Sequence, residues 1–449
     1  MKILYLLITL YCFSSLTAQQ GNTYSLAQAV EYALKNSPGY LNVQQDERSA
    51  DYRRKEIAGL GLPQITGSVD FKDYLSLPTS LIPASAFNPS APSDSYFAAK
   101  FGTRFNTTAG LSATQSFFNS DFIFALKSAK EFISLSHISV TRTKADLVSQ
   151  VSKAYYNAII NKERIKLLDA NVVRLKKILD DTRAFNKEGF AELIDVERLE
   201  VQYNNLITEK EKTIKLIGLS ESLLKFQMGY KLSDPISLAD SLNVNMDNFE
   251  ELNTNKIDIT KRPDYQLLKA QQTLYDLDVK RLRWGYLPTL VGYGSYQYNT
   301  QRNAFNFAVD NSSAVKQWYK IALVGLTLNL NIFDGLQRNN KIQQARITSL
   351  KNQNNFKNIE LAAELEATVA SISYSNAYSS LLVQKKNMEL AQHVLDVAHK
   401  KYAGGVGTNI EVVTAETSLR EAQTNYFNAL FDMLTYKIDY LKAIGTLVK

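Results

Sequence analysis

The stretch Gly325-Leu326-Thr327-Leu328-Asn329-Leu330-Asn331-Ile332-Phe333-Asp334 decides the fold. Leu326, Leu328, Leu330 and Ile332 fall on one side of an extended chain, and Gly325, Thr327, Asn329 and Asn331 on the other. Alternation of period two predicts a strand with one apolar and one polar face. Upstream, Leu287-Pro288 ends a helical pattern, because proline cannot continue a helix. Leu290, Gly292, Gly294, Tyr296 and Tyr298 then share a face in a looser alternation. Downstream, Gly335 to Ala403 is roughly 69 residues without an internal proline or glycine, a helix on the order of 100 Å long.

The same order occurs earlier. After Leu62-Pro63, Ile65, Gly67, Val69 and Phe71 oppose Thr66, Ser68, Asp70 and Lys72. Leu111, Ala113 and Phe117 oppose Gly110, Ser112, Thr114 and Ser116. Asn119 to Asn186 is then roughly 68 residues free of proline and glycine. Pro38 and Pro63 recur as Pro263 and Pro288, each 225 residues on. Ser116-Phe117-Phe118-Asn119 parallels Asn331-Ile332-Phe333-Asp334 at 215. Gly189, Asp195, Glu200 and Gly229 parallel Gly405, Glu411, Glu416 and Gly445 at 216. Ordered agreement over this length is a duplication, with a period far longer than a solenoid repeat. The first copy carries about ten extra residues between its Pro63 and Phe118.

Each copy reads helix, strand, strand, helix, helix. The boundaries are a first repeat at 19–229, a linker at 230–260 and a second repeat at 261–449. Copy one has helices at 25–60, 119–186 and 190–229 and strands at 64–74 and 107–118; Ser25 and Gln28 form a capping pair at its start. Copy two has helices at 263–285, 335–403 and 408–446 and strands at 289–299 and 319–332. Leu75 to Asn106, with four prolines, and Thr300 to Trp318 read as exposed loops. Ile165, Leu168, Val172, Leu175 and Leu179 step as a coiled-coil seam, as do Leu419, Ala422, Tyr426, Ala429, Met433, Tyr436 and Tyr440. Gly189 and the Gly404-Gly405-Val406-Gly407 cluster mark equivalent sharp turns. In each copy the two shorter helices, end to end, approach the length of the long one. That is the requirement of a wall of antiparallel helices.

Composition bounds the class. The 449 residues are 45% hydrophobic and 21% charged, so general disorder is excluded. Met1-Lys2, the apolar run Ile3–Phe13 and the small residues to Ala18 read as a secretory signal over 1–18. Cleavage after Ala18 removes Cys12, the only cysteine, which suits an oxidising compartment. It leaves 50 basic against 44 acidic residues, a diffuse excess with no basic block for nucleic acid. His137, His393 and His399 have no metal-ligand spacing, and Gly404 to Thr408 lacks the lysine of a phosphate loop. No Gly-x-Ser-x-Gly is present. The reading is therefore not an enzyme, with no cofactor or metal site.

Alone, each alternating run fits a half-buried strand in a soluble sheet better than a membrane strand. Four runs of transmembrane strand length behind a signal peptide favour an outer membrane. Four strands cannot close a barrel, and an open edge in hydrocarbon costs several kcal/mol per backbone group. Copies of the chain must then associate. Eight strands fill with side chains, whereas twelve leave a lumen.

The duplicated plan, the Leu-Pro before each first strand, and the turns followed by Ile194-Asp195-Val196 and Ile410-Glu411-Val412 resemble the TolC-like outer membrane efflux protein family over essentially the whole mature chain. The resemblance implies a mainly α fold with a membrane β-barrel. A homotrimer of a Gram-negative outer membrane would build it, four strands per protomer giving a 12-stranded barrel above a long antiparallel helical tunnel. It implies an exit duct for tripartite efflux or type I secretion. The partners would be outer-membrane lipid, a periplasmic adaptor and an inner-membrane transporter of RND, ABC or MFS type. Polar strand faces would line the lumen and apolar faces meet lipid. The family's second turn commonly reads Val-Gly-Thr, an acid, and another acid three residues on. Val406-Gly407-Thr408 and Glu411 match, but the second acidic position is Thr414. Asp195 is the first-copy equivalent of Glu411. The resemblance implies that these acids constrict the periplasmic entrance; both are equally consistent with solvated acids at a helix start. It places adaptor docking on Gly189, Phe190, Gly404, Gly405, Val406, Gly407 and Thr408, within 184–193 and 401–410. A periplasmic coiled-coil scaffold or adaptor is the competing class, and it would be found soluble in the periplasm. The cargo, whether drug, metal ion or polypeptide, stays open.

Overall fold

A computed structural model describes residues 23–240, 258–307 and 318–448. The signal segment with Cys12, most of the 230–260 linker and part of the 300–318 loop lie outside the described residues.

After the short strand β1 (Thr23–Tyr24), helix α1 runs Leu26–Asn36. Ser25 and Gln28 cap it reciprocally: Gln28 N–H donates to Ser25 Oγ at 3.3 Å and Ser25 N–H to Gln28 Oε1 at 2.9 Å. The single helix expected at 25–60 is two helices. Pro38 has no N–H to continue α1 and instead opens α2, Pro38–Gly59, where a missing donor has no consequence. Strands β2 (Gln64–Asp73), β3 (Thr79–Pro83), β4 (Tyr96–Lys100) and β5 (Phe105–Phe118) follow. Helix α3 is Ser120–Lys187 and α4 is Leu193–Met228; β6 is Ser237–Leu238. The second copy runs α5 (Pro263–Trp284), β7 (Thr289–Arg302), β8 (Tyr319–Asn329), α6 (Gln337–Ala403) and α7 (Asn409–Ala443). Equivalent helices nearly match in length: 22 and 22 residues for α2 and α5, 68 and 67 for α3 and α6, 36 and 35 for α4 and α7.

The four glycines 189, 229, 405 and 445 repeat one local geometry. Each has φ between +70° and +82°. In each case the glycine N–H bonds three residues back and the next N–H five residues back, as in Phe190 N to Phe185 O at 2.8 Å and Val406 N to Lys401 O at 3.0 Å. This is the Schellman ending, and glycine alone adopts it without a Cβ penalty.

The chain divides into two compact units, each drawing on both copies: Met1–Arg48 with Ser134–Gln271 and Asn352–Lys449, and Ser49–Ile133 with Gln272–Lys351. The first unit is helical. One of its cores joins Ala29 and Ala33 of α1, Val151 and Tyr155 of α3, Leu224 and Met228 of α4, Leu381 of α6 and Leu430 of α7. A second joins Leu168, Leu175 and Leu179 of α3 to Leu199 of α4, Leu395 of α6 and Leu419 of α7. Val151, Leu199, Leu224, Met228 and Leu381 are completely buried, each worth about 1.5–3 kcal/mol of hydrophobic transfer. Parallel β1 and β6 are clamped by Tyr155, whose hydroxyl bonds Tyr24 O at 3.0 Å and Asp240 Oδ2 at 2.8 Å. Burial and the adjacent Asp240 carboxylate raise the Tyr155 pKa well above the ordinary phenol value.

The second unit holds a four-stranded antiparallel sheet in the order β2-β5-β7-β8. Gly67 pairs with Leu111, Leu111 with Tyr296 and Tyr296 with Ala322, which fixes the register across all four strands. Where only a loop was expected at 75–106, β3 and β4 form a separate hairpin, pairing Leu81 with Ala98 and Ile82 with Phe97. Five residues per strand are too few to show a period, and Pro83 sits at a strand end, where a missing donor is tolerated.

Candidate functional site

Two features bear on function: the sheet with two chemically distinct faces, and the paired helix turns.

Residues opposite one another in an antiparallel ladder share a face. One face carries Ile65, Val69, Leu111, Tyr296, Val324 and Leu326. Phe117 is the extra residue of a bulge between Ser116 and Phe118 and leans over Gly292 on that face. The other face carries Gln64, Thr66, Ser68, Ser112, Thr114, Ser295, Gln297 and Asn299. Its polar groups bond one another: Thr66 Oγ1 to Ser112 Oγ at 2.7 Å, and Asn299 Nδ2 to Asn106 Oδ1 and Thr108 Oγ1, both at 2.8 Å. Ile321 and Leu323 of β8 interrupt the polar face. The apolar face is exposed in the isolated chain, with Val324 91% and Leu326 68% accessible. Strands β2 and β8 are the two edges, each with one row of backbone groups outside the ladder among the described residues.

The turns lie in the helical unit. Between α3 and α4, Gly189 reverses the chain and Asn186 Nδ2 bonds Ala191 O at 2.8 Å. Between α6 and α7, Gly405 does the same, and Gly407 lies too close to Lys401 and Tyr402 for a Cβ. The turns touch: Asn409, 4% exposed, donates from Nδ2 to Asp195 O at 3.0 Å. A turn behind them, Thr182 Oγ1 and Tyr402 Oη are 3.1 Å apart. Beyond this contact the tips present Phe190 and Val406, 83% and 82% exposed, with Gly404 and Thr408 also open to solvent.

Asp195 and Glu411 each occupy the first turn of their helix, where the helix dipole favours an anion. Their surroundings differ. Asp195 is partly buried, with Arg198 at 3.8 Å. Glu411 is exposed and makes no ion pair among the described residues; it lines a groove with His393, Val394, Lys401 and Thr414. Behind the turns is a polar cluster that the sequence does not reveal. Arg174 Nε lies 2.8 Å from Glu416 Oε1, Arg174 Nη2 bonds Asn171 Oδ1 at 2.7 Å, and Asn171 Nδ2 bonds Gln423 Oε1 at 2.7 Å. This ties α3 of one copy to α7 of the other. Among the described residues no group of His, Cys, Asp and Glu could hold a metal ion.

Comparison with known proteins bears on the same features. Residues 259–446 match a family model described as "Outer membrane efflux protein". The chain is 24% identical over 360 residues to "Outer membrane protein TolC" of Escherichia coli (strain K12), spanning 76% of this chain and 70% of that one. It is 19% identical over 305 residues to "Probable efflux pump outer membrane protein TtgC" of Pseudomonas putida, spanning 68% and 61%. Among solved structures it resembles CusC, with a TM-score of 0.74 at 14% identity, covering 94% of this chain and 92% of that one. It also resembles the outer membrane protein VceC of Vibrio cholerae, with a TM-score of 0.71 at 14% identity, covering 94% and 96%. At these identities the structural likeness establishes the fold.

Proposed function

Starting from membership of the TolC-like outer membrane efflux protein family, we propose that this chain is the outer-membrane exit duct of an efflux or secretion assembly. The observation that carries this reading is the sheet: one apolar face, one polar face and two unpaired edges in a single chain. Hydrocarbon tolerates no open edge, so the edges pair with further copies, the apolar face meets lipid and the polar face lines water. TolC-like proteins work as trimers with an adaptor and an inner-membrane pump. Here Phe190 and Val406, exposed at the tips of touching turns, form the adaptor surface, with Gly189, Gly404, Gly405, Gly407 and Thr408 setting its shape. The transporter is of RND, ABC or MFS type. Among the described residues no helix is long and apolar enough to cross a membrane.

Asp195 and Glu411 form the charged constriction of the entrance, with Glu411 the stronger contributor because Arg198 offsets Asp195. Planar-bilayer recording of the purified full-length protein tests both levels. A conducting, cation-selective pore is expected, and Asp195→Ala with Glu411→Ala should lower the cation preference and weaken block by multivalent cations. Unchanged selectivity in the double variant defeats the constriction. Protein recovered soluble from the periplasm defeats the duct.

A further inference from the structure

The apolar face of the sheet ends on a cation. Along β8, Ala322, Val324, Leu326 and Leu328 form one apolar row, and the next residue of that row is Lys320. From Lys320 to Leu328 this is roughly 26 Å along the strand and, at the usual barrel tilt, roughly 20 Å of height, most of a barrel's apolar band. Lys320 therefore stands at a headgroup boundary. It lies at the end of β8 next to the 300–318 loop and away from α6, so the boundary is that of the outer leaflet if the helices are periplasmic.

Three charged residues occupy the apolar face of the four strands: Asp73, Arg302 and Lys320. Asp73 is bonded by Arg104 at 2.9 Å. Arg302 is 1% exposed, bonded to Thr300 and Asn306 and set over the Phe307 ring. Lys320 has no carboxylate among the described residues. Its neighbours are phenols. The ammonium is 5.8 Å from the Tyr296 ring centroid, and the Tyr296 and Tyr298 hydroxyls are 3.0 Å apart. Two hydroxyls sharing one hydrogen bond keep one O–H to give outward, and the ammonium has three N–H donors. A cation with phenolic donors, facing lipid at a headgroup boundary, is complementary to a phosphate monoester.

We propose that Lys320, Tyr296 and Tyr298 bind the phosphate of an outer-leaflet glycolipid, with the acyl chains lying along the row from Ala322 to Leu328. This rests on the reading of the sheet as membrane-spanning. Snorkelling of the lysine stem along Tyr296 holds the charge at that level. Lys72 serves as a control, because it is on the opposite face and pairs with Asp70 at 3.1 Å.

The test is native mass spectrometry of the full-length protein, extracted from outer membranes in mild detergent. It is titrated with a bis-phosphorylated, acylated disaccharide lipid, with its dephosphorylated form, and with inorganic phosphate as competitor. The phosphorylated lipid should bind preferentially. Lys320→Gln should weaken it roughly fivefold, the loss of one interfacial cation. Lys320→Arg and Lys72→Gln should retain it, and Tyr296→Phe with Tyr298→Phe should weaken it less. Equal binding of the dephosphorylated lipid, or undiminished binding by Lys320→Gln, overturns the site. Displacement by inorganic phosphate also overturns it, since it marks a simple anion site. So does a Lys320→Gln protein that loses its oligomer while its lipid binding is unchanged, because the lysine then pairs between copies. Protein absent from the outer-membrane fraction contradicts the membrane reading itself, an outcome distinct from these.

Discussion

Leu326→Arg should abolish assembly in the outer membrane, while Thr327→Arg, one residue along, should still assemble. Leu326 lies on the apolar face between Val324 and Leu328, near the middle of the row that ends at Lys320. An arginine at the bilayer midplane of a barrel costs about 2–4 kcal/mol. In a closed multimer the penalty recurs in every copy. Thr327 faces the other way, opposite Val291, into the space that the polar strand faces line. A charge there changes conduction rather than insertion. The contrast is diagnostic because a soluble sheet predicts otherwise: Leu326 is 68% exposed in the single chain, and an exposed leucine replaced by arginine alters stability by only about 0.5 kcal/mol. The readout is the amount of each variant in purified outer membranes, with its resistance to unfolding in detergent.

The second large effect is expected at Arg174. Arg174→Ala should cost about 2–3 kcal/mol, measured as a lower unfolding midpoint of the detergent-solubilised protein. Glu416 would then be a carboxylate, 9% exposed, stripped of the guanidinium 2.8 Å away and of the arrangement that Asn171 completes. Fully buried pairs broken at one partner lose about 3–5 kcal/mol, and the 27% exposure of Arg174 places this pair below that range. Glu416→Gln should cost less, because the neutral amide still accepts from Arg174, whose guanidinium keeps part of its solvation. The repeat supplies an internal comparison. Arg183 and Glu200 of the first copy are 3.0 Å apart but 40% and 49% exposed, so Arg183→Ala should cost under about 1 kcal/mol.

That comparison also locates what a sequence can disclose. Glu200 and Glu416 are equivalent by repeat position, yet one is a solvated surface acid and the other half of a buried pair. Whether an acid on a long helix meets a distant arginine depends on which helices pack together, and helix periodicity carries no signal for that. The Asn409 bond to the Asp195 carbonyl is hidden for the same reason, its partners lying 214 positions apart. Local rules read better. The alternation at 65–71, 110–114 and 325–329 names the faces that the ladder forms, because period two is a direct consequence of the pleat. Glycines 189 and 405 are legible because only a residue tolerant of positive φ ends a helix in that way. The break at Pro38 is legible in the sequence, since Ser37-Pro38 is a helix boundary that a single helix over 25–60 has to ignore. The hairpin at 79–83 and 96–100 is too short and too rich in proline and serine to announce itself.

The sheet also fixes what must be measured at the level of assembly. The described sheet has four strands and two edges; two copies would supply eight strands whose side chains fill the interior, and three would supply twelve and a lumen. The number of copies in the membrane particle is therefore the quantity on which a duct depends. Native mass measurement of the full-length protein extracted from outer membranes should give three copies of the chain. A particle of one or two copies would contradict the account, since neither number of strands can close around a passage.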